Sequence, residues 1–208
     1  MRWERSARLG LRTLMRADVA GLRSALSTPF EMVEALEQPD PARIDRLLER
    51  APSLQRAIEC DGVLVGAALA IPTHKVAPQV AHPWSHSPTL ASEGTPPIQT
   101  SGDHLWGCGL FWRAKLDAVQ RTDLIAVARK GLVQEFGYEA IATRVPLTRF
   151  ERAGEGMSPV AYLQQIHAGS MRDEPLSTWL DHGFSLEGYA RLDDGGVVVA
   201  VRWDNRVR

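Results

Sequence analysis

Residues 57–71 read AIECDGVLVGAALAI, and this stretch decides the fold. A short apolar segment runs into Asp61-Gly62, a pair that tolerates the positive φ of a two-residue hairpin turn. Beyond the turn, Val63, Val65, Ala67, Leu69 and Ile71 recur at period two. That alternation predicts a strand with one face on a core. The chain therefore contains a β-hairpin, and the elements around it must supply the rest of a sheet and its cover.

Toward the N-terminus, Leu9, Leu11 and Leu14 mark a strand over residues 9–16. Asp18 reads as a helix N-cap, followed by Val19, Leu22, Ala25 and Leu26 at helical spacing. Phe30, Val33 and Leu36 continue a second helical face. Asp40-Pro41 opens another helix, with a capping carboxylate and then proline at the first helical position. Ile44, Leu47 and Leu48 form its apolar stripe.

Toward the C-terminus, residues 72–102 hold Pro72, Pro78, Pro83, Pro88, Pro96 and Pro97 among many Ser and Thr. So long a loop inside a domain is mobile or functional, and it reads as an insertion between two strands. Residues 105–112 form a strand. Leu124, Ile125, Ala128 and Leu132 mark a helix that Gly137 closes. Residues 139–146 return as a strand that stops at Pro146. Ser158-Pro159 opens a helix carrying Val160, Leu163 and Ile166, and residues 176–182 form a short one ended by Gly183. Residues 184–189 and 197–203 make a last hairpin, and the apolar run 197–201 predicts a strand covered on both faces. The expectation is an α/β (α+β) fold: one domain over residues 1–208, with a mixed, mostly antiparallel central sheet flanked by helices.

Composition bounds the function. The 208 residues suffice for one well-buried domain, and 44% hydrophobic with 24% charged residues is globular. A net charge of -1 gives no field that would gather nucleic acid or anionic lipid. Of the 24 Lys and Arg residues only Lys75, Lys115 and Lys130 are lysine. Arginine's planar fork suits phosphate and carboxylate. Cys60 and Cys108 are too few for a disulfide framework and lack metal spacing, so they read as buried thiols. No apolar run is long enough to span a membrane, and the first residues lack the apolar core of a secretory signal. The expected location is the cytoplasm.

Three segments resemble the GNAT (GCN5-related N-acetyltransferase) family. Asp61-Gly62-Val63-Leu64-Val65-Gly66 is similar to its D-G-x-x-V-G hairpin. Phe136-Gly137-Tyr138-Glu139-Ala140-Ile141 resembles the end of its cofactor-binding helix and the next strand. Asp181-His182-Gly183-Phe184 resembles the G-F that precedes its last hairpin. A narrower likeness, through Arg144-Val145-Pro146, Met157-Ser158-Pro159, Tyr162-Leu163, Gly169, Asp173, Pro175-Leu176-Ser177 and Gly183-Phe184, is to GNAT domains found alone or fused to carbon–nitrogen hydrolases.

The resemblance implies an acyl-CoA-dependent N-acyltransferase. Its co-substrate would be acetyl-CoA or another acyl-CoA, and its acceptor a small-molecule or peptide amine. Neither nucleic acid nor membrane is implied as a partner, and a homodimer is one arrangement open to it. Leu110, Phe111 and Trp112 would end the strand that meets the pantetheine arm. The family's R-G-x-G-x-G/A pyrophosphate turn falls near residues 117–122, where this chain has Asp117-Ala118-Val119-Gln120-Arg121-Thr122 and no glycine. Gln120, Arg121 and Thr122 at a helix N-terminus remain to hold the anion, against the charge of Asp117 and Asp123.

The family's usual tyrosine acid falls on Trp179, whose indole cannot supply the proton to a leaving group. Tyr162 is the substitute candidate, with a core tyrosine as the alternative. His104, beside Asp103 at a strand entrance, is the candidate base. His82 and His86 sit four apart around Trp84 without further ligands. Arg144 and Arg149 bracket a strand end where a carboxylate could bind. These departures leave a second expectation open: a GNAT-like domain without acyl transfer, serving as a ligand-binding or regulatory module.

Overall fold

A computed structural model gives the fold and describes residues 8–26, 31–32, 41–74, 101–112, 118–150, 156–191 and 195–206. The elements are β1 Leu9–Thr13, α1 Asp18–Leu26, β2 Glu31–Met32, α2 Pro41–Arg50, β3 Arg56–Cys60, β4 Val63–Thr73 and β5 His104–Trp112. A broken helix, α3, follows as Ala118–Ile125, a wide-turned segment Ala126–Gly131 and Leu132–Phe136. Then come β6 Ala140–Pro146, α4 Pro159–His167, α5 Glu174–Asp181, β7 Ser185–Arg191 and β8 Val197–Asp204.

The strands form one mixed sheet in the order β1-β3-β4-β5-β6-β8-β7, antiparallel throughout except that β5 and β6 run parallel. The central hairpin turns as its sequence demands: Asp61 and Gly62 both take positive φ, at 51° and 80°. The Asp61 carboxylate also accepts the N–H of Arg8 at 3.0 Å, which ties the turn to the start of β1. β4 is buried on both faces from Gly66 to Thr73, so it is more central than one-sided alternation implies.

Two apolar clusters sandwich the sheet. On one face α3, α4 and α5 bring Leu124, Leu132, Leu163, Ile166 and Leu176 against Leu110, Ile141 and Val199. On the other, Val19 and Leu22 of α1 with Ile44 and Leu47 of α2 meet Leu69, Ile71 and Phe111. Each such side chain, fully buried, contributes about 1.5–3 kcal/mol. β8 is buried from Val197 to Val201, as its uninterrupted apolar run requires.

Two sequence expectations change. The helical face expected through Phe30, Val33 and Leu36 is interrupted by a strand, because Glu31 and Met32 pair with Trp112 and Phe111 of β5; residues 33–40 lie outside the described set. Asp18 turns its carboxylate back to the N–H of Met15 at 2.8 Å and to Arg12 at 2.6 Å. The ion pair draws it away from the first helical turn, and the Arg12 guanidinium holds its carboxyl below the usual range. Most of the expected insertion, residues 75–100, is outside the described set.

Candidate active-site cleft

The parallel pair β5 and β6 is joined only at its start. His104, Leu105 and Trp106 pair with Ala140, Ile141 and Ala142, and the ladder goes no further. The cause lies in β5. Leu69 of β4 faces Gly109 while the next residue, Ala70, faces Gly107, so Cys108 is an extra residue that bulges the strand. A bulge bends its strand and sharpens the twist. β5 therefore leaves β6 at this point while staying paired to β4 as far as Trp112. β2 takes the vacated edge of β5 at residues 111 and 112. Among the described residues, this leaves the backbone edge at 107–110 with no strand beside it. The result is a V open toward the C-terminal ends of both strands.

Side chains meet part of that edge. Thr143 of β6 donates its hydroxyl to the Gly107 carbonyl at 3.3 Å. Arg129 donates Nη2 to the Gly109 carbonyl at 2.8 Å from a fully buried position. Arg129 sits in the wide-turned segment of α3, and such single-turn expansions concentrate at functional sites. Two indole donors, Trp112 Nε1 and Trp179 Nε1, are buried without an acceptor among the described residues. Both belong to the cluster under α3, α4 and α5. Trp179 packs edge-on to Phe184 at 4.7 Å between ring centroids.

The sequence candidates divide. Leu110, Phe111 and Trp112 lie on the β5 arm, Leu110 and Trp112 facing one cluster and Phe111 the other. Gln120, Arg121 and Thr122 are the third to fifth residues of α3, so the expected turn is already helix from Ala118 onward. Gln120 is half-buried and Thr122 exposed. The side chain of Arg121 and residues 113–117 are outside the described set, as are His82, Trp84 and His86.

His104 stands at the closed foot of the V. It is 5% exposed, with Nδ1 2.7 Å from Asp103 Oδ1 and Nε2 3.3 Å from Arg202 Nη2. Tyr162 is fully buried on α4 and donates its hydroxyl to Asp173 Oδ2 at 3.0 Å. Burial, then the Asp173 charge, pushes its phenol well above the ordinary range. Burial also raises the Asp173 carboxyl, against the Arg149 N–H and the Tyr162 hydroxyl that favour its charged form. His104 and Tyr162 thus belong to separate networks. The Arg144 guanidinium lies over the Trp106 ring at 5.5 Å, and Arg149 contributes its backbone N–H to Asp173.

Sequence reasoning missed Arg129, Thr143 and the Cys108 bulge. The one available signal was an arginine directly beside Ala128 on the buried stripe of α3.

No protein-family model matches the chain, and no curated protein matches it in sequence. Solved structures do match. The GphF GNAT-like decarboxylase, in complex with isobutyryl-CoA, is 19% identical with a TM-score of 0.66, covering 94% of this chain and 98% of its own. The loading GNATL domain of CurA from Lyngbya majuscula is 18% identical, also with a TM-score of 0.66, covering 97% and 100%. A ribosomal-protein-alanine N-acetyltransferase from Brucella melitensis is 12% identical with a TM-score of 0.52, covering 94% and 99%. The chain has the GNAT fold.

Proposed function

We propose that this chain binds an acyl-CoA in the V between β5 and β6 and transfers the acyl group to an amine. The observation that carries the reading is the edge of β5 at residues 107–110, which has no strand beside it among the described residues and lies at the Cys108 bulge. An extended pantetheine arm carries amides that can pair with such an edge as a strand would. Support also comes from the isobutyryl-CoA in the GphF structure, a chain that matches this one almost end to end.

In this reading the N-terminal turn of α3, with Gln120, Arg121 and Thr122, receives the phosphates through backbone N–H groups and the helix dipole. The neutral amine attacks the thioester carbonyl carbon and forms the C–N bond, the extra proton on nitrogen passes to water, and the C–S bond breaks as the carbonyl re-forms in the amide. The sulfur leaves as a thiolate, a group whose conjugate acid titrates near pH 8.5, so it needs little help from an acid. That suits a site with Trp179 where a phenol would otherwise stand. Neither His104 nor Tyr162 is assigned to this chemistry, since one is held at the foot of the V and the other by Asp173.

A second reading follows the two structures at TM-score 0.66, whose names describe a decarboxylase and a loading domain. In this reading Arg129, which is buried and donates to the Gly109 carbonyl of β5, would turn to pair with a carboxylate carried by the acyl group itself. The acyl-CoA would then be the only substrate.

Thermal unfolding with acetyl-CoA, malonyl-CoA and free CoA is the first test. A ligand at a hundred times its Kd stabilises the native state by about 2.7 kcal/mol. No shift with any of them at millimolar concentration removes both readings. A shift followed by amine-dependent release of free CoA supports transfer. Loss of CO₂ from malonyl-CoA without an amine supports the second reading, and binding without either reaction marks a ligand-binding module.

A further inference from the structure

The foot of the V carries a second cluster that the acyl-CoA reading does not use. The parallel register places Asp103, just before β5, beside Glu139, just before β6, and the Glu139 N–H donates to the Asp103 carbonyl at 2.8 Å. His104 follows Asp103 directly. One ligand atom from each of Asp103, His104 and Glu139 lies within 4.8 Å of the other two. The imidazole is buried and held in place, whereas the two carboxylates are exposed and can adjust.

We propose that Asp103, His104 and Glu139 bind one divalent transition-metal ion of the zinc and cobalt class. One imidazole nitrogen and two carboxylates, with water completing the shell, are ligands such ions accept. Tetrahedral bonds of about 2.1 Å separate neighbouring ligand atoms by about 3.4 Å, so Asp103 Oδ1, now 2.7 Å from Nδ1, swings outward and exchanges its hydrogen bond to the imidazole for a bond to the ion.

The nitrogen is Nδ1, because Nε2 faces Arg202. A neutral imidazole carries one proton, and a metal at Nδ1 moves it to Nε2. There it meets the Arg202 guanidinium, donor against donor, so Arg202 must turn away toward Asp204, which its Nε already holds at 2.7 Å. Arg202 therefore opposes the ion, both by its charge and by the tautomer it selects.

The ion would join the starts of β5 and β6 immediately below the three residue pairs that connect them. At about 3.3 Å per residue, Gly109 lies roughly 16 Å further up the strand, so the ion braces the closed end and takes no part in acyl chemistry. The inference stands apart from the acyl-CoA reading, and its test needs no CoA.

The experiment is calorimetric titration of the chelator-treated full chain with ZnCl₂, and visible spectroscopy with CoCl₂. The expected result is one equivalent bound, d–d bands for cobalt and a higher unfolding midpoint. Glu139→Gln, a change at an exposed residue, should weaken binding by at least about tenfold. Arg202→Met should tighten it, and a His82→Ala/His86→Ala double variant should bind as the parent does. Absence of heat and d–d bands in the parent would overturn the site. So would full binding by Glu139→Gln, or loss of binding in the double variant, which would move the ion to another part of the chain.

Discussion

The hydroxyl of Tyr162 donates to Oδ2 of Asp173 at 3.0 Å, and neither residue has any exposed surface. The pair links α4 to the residue before α5, and the Arg149 N–H joins the same oxygen at 3.1 Å from the turn after β6. Its position makes it a structural joint. Tyr162→Phe leaves a buried acceptor short of one donor, at a cost of about 1–3 kcal/mol. The expected outcome is a midpoint lower by roughly 2–4 °C per kcal/mol, with any acyl-CoA binding retained. A variant as stable as the parent that has lost turnover would return Tyr162 to the chemistry.

The same phenol sets a limit at high pH. Its pKa is raised in the folded state, so above about pH 10 the unfolded chain releases a proton that the native state keeps. The native state then binds more protons than the unfolded one, and stability falls as pH rises. Below about pH 10 this contribution is fully present. Denaturant midpoints measured from pH 8 upward should decline beyond pH 10, and less steeply in Tyr162→Phe. Equal slopes in the two proteins would contradict the assignment. Tyr138, whose phenol burial also raises, adds a smaller part of the same kind that the variant keeps.

Gly66 lets β4 lie against β5. A Cβ built there would stand 2.1 Å from the Phe111 carbonyl oxygen and 2.7 Å from Trp112 Cα, both backbone atoms that have no rotamer to change. Gly66→Ala should therefore destabilise by about 1–3 kcal/mol, read from denaturant unfolding. Gly10 is a control on β1, since a Cβ there meets nothing within 4 Å. Gly10→Ala should leave the midpoint nearly unchanged.

Arg129 and Thr143 each donate to a carbonyl that the divergence of β6 leaves behind. Arg129→Met removes the donor to the Gly109 carbonyl and should cost about 1–3 kcal/mol. Thr143→Val keeps the shape and loses one longer bond, so about 1 kcal/mol is expected. If an acyl-CoA uses this edge, its presence should recover more of the loss in Arg129→Met than it adds to the parent. Thermal unfolding with and without acetyl-CoA measures the difference.

The sheet and its helices could be read because their signals are local. Asp61-Gly62 fixed a turn, Pro41 a helix start and Gly137 a helix end, and each stands where its chemistry requires. β2 escaped notice because two residues carry no period, and their pairing with residues 111 and 112 is a relation across the chain. The cleft was hidden for a similar reason. It depends on where a ladder stops, and nothing in residues 139–146 announces that only three of them pair with β5. Arg129 was concealed by helical counting, since a wide turn moves the face on which a residue falls. His104 drew attention as a base through its residue type, and only the direction of β5 shows that it stands at the foot of the V.

Cys108 changes the parity of its strand. Leu105 lies on the face of α3 and Trp106 on the face of α1; after the bulge Leu110, Phe111 and Trp112 resume the alternation one step late. Deleting residue 108 would leave Ala70 opposite Gly107 and Leu69 opposite Gly109 as successive rungs, with every flanking side chain still on its own face. For the sheet alone, a chain one residue shorter would be the simpler solution. Position 108 is therefore a spacer whose removal the core can absorb, and what such a deletion would erase is the gap through which anything enters the V.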